Sequence, residues 1–312
     1  MRFFRKAKRT DGWLTLSFQG DGVAAAFVRR SGAAQPVVEF CSTFPGPVEP
    51  ETLARIGKEL HAGTFKCSTL LGGRDYQLLS VEAPNVPPEE LKTAIRWRLK
   101  DMLDFHVDDA TVDVLDIPAE ANAPGRAHNM FAVAARNSII KQKQELFVDA
   151  GIGVSVIDIP EMAQRNISAL MEPEGRGLAM LSFGEDGGLL TVSYKGELYL
   201  SRRVDVSLAQ LAEEDFERKT ATFDRITLEL QRSLDHFDRQ YNYVSVAKLM
   251  LAPSPAEGLA DYLAGNLYTP VERFDLGGYL DLSAVPELAA PEEQQRYFLL
   301  LGAALRQEEV KL

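Results

Sequence analysis

The stretch LSFQGDG at residues 16–22 returns as LSFGEDG at residues 181–187, 165 positions later (181 minus 16). Neither copy is low in complexity, so the echo marks an internal duplication, and a duplication constrains the fold more than any single motif. Whatever is built around residue 16 is expected again around residue 181. A chain of 312 residues is also too long for one ordinary core. Two halves, 1–172 and 173–312, are therefore expected, with EPEGRG at 172–177 as the seam.

The second half reads most cleanly. LAMLSFG, LLTVSYKG and ELYLSRRV are short β-like runs separated by Gly-containing turns, the pattern of a meander. FDRITLELQRSLDHFDRQY (223–241) then sets Phe223, Ile226, Leu230, Leu234 and Phe237 at steps of three and four, which predicts an amphipathic helix. VAKLMLA follows as a buried strand, AEGLADYLAGN as a helix ending near Gly265, TPVERFDL as a strand and EEQQRYFLLLGAALR (292–306) as a last helix.

The first half repeats that order. WLTLSFQ, VAAAFVRR and PVVEFCSTF read as strands, 50–62 as a helix and KCSTLLGG as a strand. About 55 residues then precede the strand NMFAVAAR, too many for a simple connection, so an inserted subdomain over roughly 75–128 is expected. Within it QLLSVEAP and TVDVLDIP read as strands and PPEELKTAIRWRLKDMLDF as a helix, with Glu89 and Glu90 favoured by the dipole in its first turn. After NMFAVAAR, NSIIKQKQELFVDA reads as a helix stopped at Gly151, and GVSVIDIP as a closing strand.

A meander followed by alternating helices and strands, twice over, predicts an α/β chain of the duplicated actin-like, ribonuclease-H-related type, two lobes that receive ligands between them. In such a fold the first hairpin of each lobe reaches toward nucleotide phosphates, and the echo would be those two hairpins. Gly20, Gly22, Gly184, Gly187 and Gly188 are then candidates for holding an anion through backbone N–H groups. They are equally what tight hairpins need at positive φ with no ligand at all.

Composition removes other classes. A net charge of −11 disfavours a nucleic-acid binder, which needs clustered Lys and Arg. The exception is MRFFRKAKR, where five cations surround Phe3 and Phe4; it reads either as a segment that grazes an anionic membrane face or as a solvated end. No apolar run is long enough to span a bilayer, so a cytoplasmic protein is expected. Cys41 and Cys67 match no zinc spacing and read as small buried hydrophobes, and the four histidines have no partner at metal-ligand spacing. The charge run LAEEDFERKTATFDR reads as a solvated helix face. In the insert, Leu91, Ile95, Trp97 and Leu99 form an apolar stripe beside Arg96 and Arg98 that either packs on its own sheet or anchors a partner peptide.

QLLSVEAPNVPPEELKTAIRWRLKDMLDFHVDDATVDVLDIP (77–118) resembles the PilM family of type IV pilus assembly proteins, and still more its MshI relatives of the mannose-sensitive haemagglutinin pilus. The likeness extends through AVAAR (132–136), GIGVSVIDIPEMAQRN (151–166), LELQRSLDHFDRQY (228–241) and LLGAALR (300–306). It implies an actin-like cytoplasmic protein that docks the N-terminal segment of a PilN-like inner-membrane partner, MshJ in the MshI system, and works beside other pilus assembly proteins. It also implies where the chain departs from ATP-binding relatives. Aligned on Val23, the family's DIG hairpin has Ser17 at its Asp, Gln19 at its first Gly and Ala24 at its Lys; in the second hairpin Ser182 replaces Asp while Gly184 is kept. Pro253 and Pro255 stand where a flexible turn would approach the adenosine.

A hydroxyl carries no charge with which to attract Mg²⁺. Asp21 and Asp186, four residues further on, lie at the hairpin turns rather than at the vacated positions. The expectation is a scaffold and pseudo-ATPase with no required cofactor and no catalytic or metal-binding residues, reaching the inner membrane through its partner. Its alternative is an active ATPase or kinase of the same fold. A membrane tether of the FtsA type would need an amphipathic C-terminal anchor, for which QEEVKL is too short and too charged.

Overall fold

The strand GVAAAFVR has no polar position from Val23 to Val28, the signature of a sheet covered on both faces. In the computed structural model, which describes residues 11–20, 22–30, 32, 34–118 and 128–307, all six of those residues are buried. The basic opening segment, Asp21 and the last residues of QEEVKL lie outside the described residues.

The first lobe is built from β1 (Gly12–Gln19), β2 (Gly22–Arg29), β3 (Val37–Pro45), α1 (Pro50–Glu59) and β4 (Lys66–Leu70). The insert follows, with β5 (Tyr76–Glu82), α2 (Pro88–Arg98), β6 (Ala110–Asp116) and β7 (Asn129–Arg136). The lobe resumes at α3 (Asn137–Asp149), β8 (Val154–Asp158) and α4 (Pro160–Ser168). The second lobe comprises β9 (Gly177–Gly184), β10 (Gly187–Tyr194), β11 (Glu197–Val204), α5 (Leu208–Leu211), α6 (Phe216–Gln240), β12 (Val246–Leu251), α7 (Leu259–Asn266), β13 (Val271–Arg273) and α8 (Pro291–Ala304).

The duplication is exact in topology. One sheet runs β3-β2-β1-β4-β8 and the other β11-β10-β9-β12-β13. In each, the meander is antiparallel and the last two strands join in parallel. The echo falls at equivalent places. Ser17 and Ser182 each sit two residues before the final pair of a hairpin, Gln19 with Gly22 and Gly184 with Gly187.

Two expectations need correction. NMFAVAAR is not a strand of the main sheet: β7 is the centre of a separate antiparallel sheet, β5-β7-β6, so the insert runs on through Arg136. The helix expected through Phe105 ends at Arg98 and continues only as a 3₁₀ turn over Leu99–Asp101.

Each main sheet buries its outer face under its own helices. Leu14, Leu16 and Phe27 pack with Leu53 and Ile56 of α1 and Phe147 of α3. Ala179 and Leu181 pack with Ile226, Leu230 and Phe237 of α6. The inner faces are covered by α4 and α8, and these two are exchanged. Helix α4 follows a strand of the first lobe yet lies on the second sheet, where Gln164 donates to the carbonyls of Met180 (2.9 Å) and Leu189 (3.1 Å). Helix α8 follows the second lobe yet closes on the first sheet, where Tyr297 bonds Thr43 (2.9 Å) and Arg30 donates to the Leu305 carbonyl (2.6 Å). Ala24 and Val28 of one sheet thus share a core with Leu178 and Met180 of the other. The seam at 172–177 divides the sequence, not the packing.

The helices α4 and α8 cross at Gly302, where a Cβ would lie 2.3 Å from the Ala163 carbonyl oxygen. The insert leans on the second lobe: Ile117 and Phe131 belong to its core, and the Tyr199 and Tyr243 hydroxyls donate to the Pro118 carbonyl.

Candidate functional site

Between the lobes lies a cleft of about 560 Å³. Ser17, Gly20, Ser182 and Gly184 all line it, so the fold brings together four residues that the echo singled out. Gly22, Gly187 and Gly188 do not line it. Their lack of a side chain serves strand packing: a Cβ would meet the Phe44 carbonyl at 2.9 Å from Gly22, the Val204 carbonyl at 3.0 Å from Gly187, and the Phe183 ring at 2.8 Å from Gly188. Pro253 and Pro255 are likewise absent from the lining.

Ser182 is buried, and its hydroxyl donates to Gln164 Oε1 at 2.5 Å. Gln164 is itself fully buried and spends its Nε2 on Met180 O, Leu189 O and Thr191 Oγ1 (2.9 Å). The Ser182 hydroxyl is therefore committed to the protein interior. Gln164 went unnoticed in the sequence because a Gln in PEMAQRNIS reads as part of a solvent face. Only the exchange of α4 onto the other sheet buries nearly its whole surface.

Two of the carboxylates lining the cleft are also engaged, while Glu185 lines it exposed. Asp75 accepts from Gly72 N at 2.9 Å, and Asp186 reaches across from the second lobe to accept from Gly73 N at 2.7 Å. Lys143 donates to Leu70 O (2.9 Å) with its ammonium 4.8 Å from the Phe18 ring centre. Burial lowers its pKa, against the opposing pull of Asp75. The two hairpin positions do not fit a magnesium nucleotide: neither serine supplies a charge, and the Asp186 carboxylate already holds a main-chain N–H.

Beside the cleft and outside its lining, the Tyr76 hydroxyl donates to Glu161 Oε2, and Arg203 Nη2 donates to that hydroxyl at 2.6 Å and to Glu161 Oε1 at 3.0 Å. Burial and then the Glu161 charge push Tyr76 well above the usual phenol value. Burial alone would lower Arg203, but Tyr76, Glu161 and Asp186 outweigh it and hold the guanidinium above its ordinary value.

A second concavity, about 250 Å³, opens in the first half between the main sheet and the insert. Val154, Val156 and Ile157 of β8, Val133 of β7, Ile140 of α3 and Leu71 line it. Both β8 and β6 are edge strands of their sheets. The stripe chosen from the sequence is elsewhere. Ile95 and Leu99 are 0% exposed in the insert's own core with Val81, Met130 and Ala132, and Leu91 packs against them half-buried. Ile95 and Leu99 are enclosed by the insert's own sheet, because the i, i+4 spacing that aligns them with Leu91 turns this face inward. Trp97, on the opposite face of α2, is 65% exposed.

Among the described residues, no helix is long and apolar enough to cross a membrane. No family model matches the sequence, and no curated protein matches it. Solved structures do resemble it. The PilM–PilN type IV pilus biogenesis complex superposes with a TM-score of 0.73 at 21% identity, covering 94% of this chain and 97% of that one. The cytoplasmic domain of EpsL, an inner-membrane component of the type II secretion system of Vibrio cholerae, gives 0.43 at 19% identity over 65% and 76%. A Bacteroides thetaiotaomicron protein with an actin-like ATPase fold and unknown function gives 0.47 at 10% over 93% and 99%. The twinned sheet orders and the first of these superpositions make this chain a two-lobed actin-like fold carrying an inserted three-stranded subdomain.

Proposed function

We propose that this chain is a non-catalytic scaffold of type IV pilus biogenesis, akin to PilM and its MshI relatives, that captures the short cytoplasmic segment of a PilN- or MshJ-like inner-membrane protein. The observation that carries this reading is the apolar groove flanked by the free edges of β8 and β6. An extended peptide gains main-chain hydrogen bonds by adding to such an edge, and side-chain pockets give it specificity. The PilM–PilN resemblance supports the same reading, as does the run at 77–118. The protein then sits at the inner membrane through that partner rather than by a span of its own.

The test is calorimetric titration of the full chain with a synthetic peptide of the cytoplasmic segment of its membrane partner. Val156→Glu, which sets a charge in the half-buried groove wall, is expected to abolish binding, and Trp97→Ala to leave it within two-fold. Binding lost with Trp97→Ala and kept with Val156→Glu would move the site to the exposed face of α2 and end the groove reading.

A second reading, an ATP-dependent enzyme of the same fold, draws on the cleft itself, whose lining includes the cations Lys143 and Arg296. Calorimetry with Mg-ATP separates the two. The scaffold reading expects no heat and no release of phosphate.

A further inference from the structure

We propose that the two lobes are held together beside the cleft by an internal latch that stands in for a ligand: the Asp186 carboxylate occupies the Gly73 N–H across the lobe boundary, while Arg203 clasps the Tyr76 hydroxyl against Glu161. This concerns the state of the inter-lobe cleft and stands whether or not the groove captures a pilus peptide.

The latch joins parts that are distant in sequence. Asp186 lies at the β9–β10 turn and Arg203 on β11, both in the second lobe, whereas Gly73 lies between β4 and the insert and Tyr76 opens the insert's β5. A main-chain N–H at a Gly-Gly turn is a donor well suited to an anionic oxygen. Here a carboxylate of the same chain takes that donor at 2.7 Å. The Gly72-Gly73 pair also acquires a reason. A Cβ at Gly73 would lie 2.9 Å from both Arg203 Nη1 and Asp186 Oδ2, so a larger residue there would push the two second-lobe side chains back from the backbone.

The second contact makes the arrangement more than a surface hydrogen bond. Glu161 is 2% exposed and has Arg203 as its counter-charge, and Tyr76 is buried between them. Glu161, on α4 against the second sheet, would keep Arg203 if the lobes parted but would lose the Tyr76 hydroxyl, and a buried acceptor left short of a donor costs more than breaking an exposed pair. Ligand-free closure follows from that asymmetry. In a nucleotide-driven actin-like protein the bound phosphates bridge the lobes; here the chain supplies the bridging anion itself.

The experiment is amide hydrogen exchange on the full chain without nucleotide, resolved at Gly73 and through 71–76. The wild type is expected to protect Gly73, and millimolar Mg-ATP to change that protection by less than two-fold. Asp186→Ala is expected to speed Gly73 exchange about ten-fold, with Asp186→Asn in between because its amide oxygen still accepts. Tyr76→Phe keeps the ring and removes only the hydroxyl, and is expected to accelerate exchange across the whole segment. A Gly73 amide that exchanges freely in the wild type, or one indifferent to Asp186→Ala in a variant that melts like the wild type, would overturn the latch. Mg-ATP hydrolysis with Gly73 still protected would retain it and remove the non-catalytic reading instead.

Discussion

Replacing Gly302 by alanine tests the packing on which the two-lobed architecture depends. Alanine is ordinarily the better helix former by about 1 kcal/mol. At this position its Cβ would lie 2.3 Å from the Ala163 carbonyl oxygen, so α8 and α4 must part by about 1 Å to restore an ordinary contact. Forcing a methyl into a closed core costs about 1–3 kcal/mol. Separation also stretches the bond from Asn166 Nδ2 to the Gly302 carbonyl, 3.0 Å and buried, worth about 1 kcal/mol more. Set against the helix gain, the net loss is about 2 kcal/mol, or a Tm about 3 °C lower for a chain of this length. Gly265 provides the control. It lies inside α7 with nothing within 4 Å of its would-be Cβ, so the same substitution there is expected to stabilise by about 0.5–1 kcal/mol. Both variants can be read by urea unfolding followed by circular dichroism. A Gly302→Ala protein as stable as the wild type would refute the close crossing of α4 and α8, and with it the exchange of helices between lobes.

Other outcomes follow from particular contacts. Ser182→Asp alone is expected to destabilise by about 2 kcal/mol or more without restoring magnesium binding, because the new carboxylate would face Gln164 Oε1 in a buried site; melting and Mg-ATP calorimetry check both halves. Ile95→Asp is expected to unfold the insert at a cost of about 3 kcal/mol, whereas Trp97→Ala stays within about 0.5 kcal/mol, by the same urea assay. Arg306 Nη1 holds the buried Asp158 at 2.6 Å, and Arg306→Ala is expected to cost about 3 kcal/mol at neutral pH. Burial keeps the Asp158 carboxyl above its ordinary value, with Arg306 pulling the other way, so deleting Arg306 raises it further. A carboxyl raised in the folded state loses stability as pH climbs from the ordinary carboxylate value through the raised one. The deficit of Arg306→Ala should therefore shrink as the solution is acidified toward about pH 4, where a neutral Asp158 needs no counter-charge. A deficit that is constant or grows on acidification would contradict this.

The architecture was legible because the duplication wrote the same meander twice and because apolar spacing resolved α6: Phe223, Ile226, Leu230, Leu234 and Phe237 are all buried there. The hairpin serines were legible as well, since a register fixes equivalent positions once the turns are aligned. What escaped depends on contacts between remote segments. Nothing local in NMFAVAAR says which of two sheets it joins. Nothing in PEMAQRNIS says that Gln164 will be enclosed by a sheet from the other half. The α2 stripe was half legible. Leu91, Ile95 and Leu99 share a face, while Trp97, two residues beyond Ile95, is rotated about 200° from it, enough to separate core from surface. The groove was invisible, because its walls come from β7, β8 and α3, brought together only by the insert.

The traded helices bear on how the chain can be made. While the ribosome is still translating the second half, the inner side of the first sheet, with Ala24, Ala26 and Val28, has no lid, since the residues that seal it are 291–304. The earlier half must wait, greasy side open, for a helix translated more than a hundred codons after its last strand, and a truncated product cut at the seam would be a client for chaperones rather than a free-standing module.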